Sequence, residues 1–124
     1  MALPVLTEKR GRGFPEVSVA KGNRSFEQNQ LNDGDLAVGT ILGEISASPG
    51  EFLQVAPLAG DGTEVAAAVL FDNVDASGGA ERATMYLRDC ELMEDELVFP
   101  AGVTAPQKAT IIAELLAIGI VLRT

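Results

Sequence analysis

Residues 56–83, "APLAGDGTEVAAAVLFDNVDASGGAERA", set glycines beside the carboxylates of Asp61, Asp72 and Asp75 around a run of small and β-branched side chains. The stretch reads either as a cradle for phosphate or metal, or as two tight turns that bracket a strand. In "AGDG" (59–62), Asp-Gly is the pair that a tight hairpin turn needs, because positive φ is cheap at Gly and tolerable at Asp. A phosphate loop would run on into Gly-Lys-Ser/Thr and open a helix. Here "TEVAAAVLF" follows instead, β-branched at Thr63, Val65 and Val69. "DNVDASGG" (72–79) lacks the alternating acids, the glycine at the sixth position and the closing glutamate at the twelfth that a calcium loop uses. Both segments are therefore read as turns, and the strand between them as part of a sheet.

Outward from that strand the pattern stays β-rich. "DLAVGTILGEIS" (35–46) switches its apolar parity between Val38 and Ile41, which suits a bulge or turn near Gly39, and Gly43 marks a second close approach. "EFLQVAP" (51–57) is a short strand ended by Pro57. In "ERATMYLRDCELMEDELVFP" (81–100), Met85 and Leu87 share one parity and Cys90 and Leu92 the other, so a switch is expected near Arg88 and Asp89. One helix follows. Thr104 and Gln107 form a Thr-x-x-Gln capping box, Pro106 sits in the first turn, and Gly119 supplies the stop. Ile111, Leu115 and Ile118, with Ile112 and Leu116, give it one broad apolar face, and "GIVLRT" (119–124) returns as a last strand.

Composition removes most chemistries. A chain of 124 residues fits one domain, which buries roughly two thirds of its unfolded surface. The longest apolar run, Val65 to Phe71, is too short for a bilayer, and "MALPVLTEKRGRG" lacks the order of a secretory signal, so cytoplasmic synthesis without a membrane partner is the expectation. The single Cys90 excludes an intrachain disulfide and a cysteine-rich zinc site. With no histidine, Ser-His-Asp and Cys-His triads and the usual zinc and iron sites are impossible. Carboxylate chemistry survives, through Asp61, Asp72, Asp75 or the run Glu91, Glu94, Asp95 and Glu96. That run is read as a solvated loop, since a local run rarely converges on a cleft. No enzyme activity, cofactor or metal is expected. A small acidic interaction domain or divalent-cation-binding domain is the alternative.

Charge divides the chain. Residues 1–24 hold Lys9, Arg10, Arg12, Lys21 and Arg24 against Glu8 and Glu16, a balance of +3, and the other hundred residues carry −12. A basic leader on an acidic body suggests a docking arm. Nucleic acid is a poor partner, because the body would repel phosphates. Within "FPEVSVAK", Phe14, Val17 and Val19 alternate as a strand that could add to another sheet's edge.

In their order, "AVGTILGEI", "PLAGDGTEVAAAVLFDNVDASGG" and "LVFPAGVTAPQKATIIAELLAIGIVLR" resemble the head decoration proteins of tailed bacteriophages, the lambda protein D type, over about residues 36–123. The resemblance implies a small β-clip-like or barrel-like domain over 31–124 with one C-terminal helix, preceded by an extended arm over 1–30. It also implies a homotrimer that caps threefold sites on the outer surface of the expanded capsid and cements it against packaged DNA. The partner would be the major capsid protein. Arm contacts would come from Arg10, Arg12, Phe14, Val17, Val19, Lys21 and Arg24. Ala66, Ala67 and Ala68, small enough for close approach, are the candidate trimer contacts.

Overall fold

A computed structural model describes residues 25–124 in full and, before them, the backbone of one strand, Val17–Ala20. That strand is β1. It is followed by β2 (Phe26–Leu31), β3 (Asp35–Leu36), β4 (Ile41–Glu44), β5 (Glu51–Gln54), β6 (Ala68–Leu70), β7 (Val74–Asp75), β8 (Glu81–Tyr86) and β9 (Cys90–Met93). A 3₁₀ turn (Glu94–Glu96), helix α1 (Ala105–Ala117) and β10 (Ile120–Arg123) complete the chain.

Five strands close a barrel in the order β2-β5-β4-β6-β8. Its seams follow the alternation of side chains along each strand. Leu42 on β4, Ala68 and Leu70 on β6, and Met85 on β8 point inward with Leu31 and Phe52, all essentially without solvent contact. Their neighbours Ile41, Val69 and Tyr86 point outward in register, Ile41 opposite Val69 and Val69 opposite Tyr86. That outer row packs on Ile111 and Leu115 of α1, Cys90 and Leu92 of β9, and Ile120 of β10. The helix and the sheet β1-β9-β10 thus cover one side of the barrel. Fully burying each of the large apolar side chains stabilises the fold by about 1.5–3 kcal/mol relative to exposure.

The glycines flagged from sequence lie where backbone meets backbone. Gly39 adopts φ +90°, and a Cβ there would lie 2.4 Å from the Glu96 carbonyl oxygen. A Cβ on Gly43 would meet the Thr63 backbone at 2.6 Å, so the turn at 61–63 can lie directly on β4. The parity switch after β8 is made at Asp89, which takes φ 55°. The capping box forms, with Gln107 N–H donating to Thr104 Oγ1 at 3.2 Å and Thr104 N–H to Gln107 Oε1 at 3.0 Å. The buried stripe of α1 is narrower than expected, because Ile111 and Leu115 are buried while Leu116 is 58% exposed.

The strand expected over "TEVAAAVLF" shortens to Ala68–Leu70. Residues 63–67 instead form a loop, pinned where Ala67 N–H donates to the Leu42 carbonyl at 2.8 Å. The arm boundary expected at residue 30 falls inside β2, which pairs antiparallel with β8 at six positions from Phe26↔Tyr86 to Leu31↔Glu81.

Candidate functional site

The carboxylates of residues 56–83 serve the turns. Asp61 accepts from Thr63 N–H at 3.1 Å and from Thr63 Oγ1 at 2.6 Å, and these bonds hold its carboxyl below the ordinary carboxylate range. Asp75 repeats the arrangement with Ser77 N–H at 3.0 Å and Ser77 Oγ at 2.5 Å, with the same lowering. Asp72 is not part of either turn, and partial burial pushes its carboxyl upward. These are Asx-type turns, in which the side chain replaces a backbone acceptor. Among the described residues, no group of three or more His, Cys, Asp or Glu is arranged to hold a metal ion.

The acidic run of 91–96 does not converge. Glu91 pairs with Arg123 at 2.7 Å across β9 and β10, and Glu94 pairs with Lys108 at 3.4 Å. Lys108 also lies 4.8 Å over the Phe99 ring. Asp95 and Glu96 are exposed on the 3₁₀ turn. Such pairs at the surface contribute little stability.

Groups that could act as nucleophiles are sealed in the core. Burial, then the charges of Asp89 and Glu91, push the Cys90 thiol up to about 12, so it stays protonated at neutral pH. The Tyr86 phenol is likewise raised, chiefly by burial, and its hydroxyl has no hydrogen-bond partner. It is enclosed by Phe26 and Phe71, whose ring centroids lie 5.0 and 5.3 Å away.

Of the residues assigned to arm contacts, Arg10, Arg12, Phe14, Lys21 and Arg24 lie outside the described residues. Val17 and Val19 belong to β1, which pairs antiparallel with β9, Val17 opposite Leu92 and Val19 opposite Glu91. Ala66 and Ala68 are 2% and 0% exposed, Ala68 inside the barrel, so of the three alanines only Ala67 reaches solvent. The exposed large hydrophobic residues are Leu58, Val65, Val98, Leu116 and Val121. Leu58 was not singled out from sequence, although a leucine after proline in the uncharged turn "APLAG" is its one local signal.

These observations describe a rigid β body with a strand-rooted leader and no assembled catalytic group among the described residues. The decisive comparison is with a family model, that of the bacteriophage lambda head decoration protein D, which matches residues 5–120. The chain belongs to this family. The matched span covers the body, and it also extends through most of the basic leader, further than the resemblance over 36–123. Comparison with curated proteins gave no match. The head decoration family is structural, not enzymatic, and its membership makes the phage head the partner and the capsid surface the place of action.

Proposed function

We propose that this head decoration protein binds the outer surface of the expanded phage head as trimers at threefold sites and cements the shell against the pressure of packaged DNA. The observation that carries the reading is the family match over residues 5–120. The architecture is consistent with it: a closed barrel backed by a helix makes a stiff knob, and a basic leader departs from one sheet edge.

The leader docks on the major capsid protein. Arg10 and Arg12, with Lys21 and Arg24, add long-range attraction toward an acidic shell. Phe14 supplies an apolar contact. Val17 and Val19 hold the root of the leader on β9, so that the docking segment is the stretch before residue 17. The mechanism is linkage. A ligand that binds only the expanded lattice stabilises it by RT ln(1 + [L]/Kd), about 2.7 kcal/mol per site at a hundredfold excess over Kd. Three leaders on one trimer raise the effective concentration of each and slow release.

The test is the heat-induced release of DNA from filled heads with and without added protein. Saturation with the protein should raise the release temperature. Identical release curves at full occupancy would refute a cementing role.

A further inference from the structure

Residues 25–124 carry −12, so copies of the body repel one another unless they meet through surface free of charge. Segments 52–60 and 115–122 contain no charged residue. Each brings an apolar side chain to the surface, Leu58 at 91% exposure and Leu116 at 58%.

The two are different in shape. Leu58 is a protrusion on a fixed turn: Ala59 N–H donates to the Ala56 carbonyl at 2.9 Å, Ala56 N–H to the Thr63 carbonyl at 2.9 Å, and the preceding Val55 is buried. Leu116 is a wall. With Ala67, Leu87 and Ile118 it lines an open groove of about 690 Å³, between the end of α1 and the turn from β8 to β9, where Glu44 and Asp89 add polar lining. An apolar centre with a few charges around it is the composition of a protein–protein interface core and rim.

We propose that Leu58 of one copy seats in the Leu116 groove of a second copy. The contact rests on the trimeric reading above and supplies its interface. Knob and groove are separate surfaces of one chain, so the association is head-to-tail, and it terminates when the rotation closes a ring. The occupant is this chain itself because a body of strongly negative charge offers a charge-free knob and a charge-free wall together. It also accounts for Leu116 lying outside the buried stripe of its own helix.

Leu58→Asp and Leu116→Asp place a carboxylate at exposed positions, where folding tolerates it and the far-UV circular dichroism should be unchanged. In the contact the same carboxylate would be desolvated without a partner, weakening association by about a hundredfold or more. Sedimentation equilibrium should then show trimers for the unaltered protein and monomers for each variant. An equimolar mixture should regain dimers, since the intact Leu58 of the Leu116→Asp chain can enter the intact groove of the Leu58→Asp chain. Trimers that persist in both variants, or a mixture that stays monomeric, would overturn the knob-and-groove contact while leaving the trimer itself standing. An unaltered protein that is monomeric in solution and in chemically crosslinked material from capsids would instead remove the trimeric reading, and this contact with it.

Discussion

Truncation at the leader separates the body from its arm, and the structure sets where the cut can fall. A chain beginning at Asn32 loses β2. That removes six register pairs with β8, two with β5, and the Leu31 side chain, which is fully buried in the barrel. Deleting one such side chain costs about 2–5 kcal/mol. A ladder of this length contributes on the order of six hydrogen bonds at about 0.5–1.5 kcal/mol each. The total, roughly 5–14 kcal/mol, is comparable with the whole stability of a small domain, about 5–15 kcal/mol. The chain beginning at Asn32 should therefore be unfolded at room temperature. A chain beginning at Ser25 keeps the barrel and gives up β1, whose ladder on β9 has three partner positions. It should unfold cooperatively, at a reduced midpoint. Thermal melts followed by circular dichroism decide the matter. A cooperative transition for the shorter chain near that of the longer one would refute the assignment of β2 to a closed barrel.

Three further outcomes follow from the turns and the core. Replacing Thr63 with Val removes the hydroxyl that lowers the Asp61 carboxyl. The stabilisation tied to that lowering is present above the ordinary value of 3.8 and lost as pH falls through the folded value, so the variant's melting midpoint should decline less steeply between about pH 5 and pH 2. Equal slopes would show that the bond does not tune Asp61. Excess calcium and a chelator should give the same melting midpoint, whereas a rise of several degrees with calcium would overturn the assignment of Asp61 and Asp75 to turns. Cys90 should react with a disulfide reagent at neutral pH only after denaturant is added, and rapid labelling of the native protein would contradict its burial.

What could be read from sequence divides by the range of the interaction. Helix α1 was legible because its signals are local: Thr104, Gln107, Pro106 and Gly119 each act within one turn of their own position. The turns at Asp61 and Asp75 were legible for the same reason, and Gly39 and Gly43 announced close backbone approaches that the fold contains. Strand β2 was not legible. "FEQNQL" has no apolar alternation, and it becomes a strand only through β8, more than fifty residues away in sequence. The hydrophobic pattern of Val17 and Val19 correctly suggested a strand, but nothing local identifies β9 as the edge it joins. Ala66 and Ala68 were read as surface because small side chains suit close subunit approach, and the same property lets them fill the protomer's own packed interior. Leu116 shows the reverse error: helical periodicity put it on the buried face, while the barrel contacts only the stripe through Ile111 and Leu115.

The central claim is that this chain decorates a phage head and that its leader makes the attachment. Co-sedimentation with expanded, undecorated capsids tests it most directly, comparing the full chain with the chain beginning at Ser25. The full chain should bind to saturation, and more weakly as salt screens Arg10, Arg12, Lys21 and Arg24. The folded body alone should lose most of its affinity. Full occupancy by the body would contradict the role given to the leader, and failure of the full chain to bind expanded capsids at any salt concentration would contradict the account as a whole.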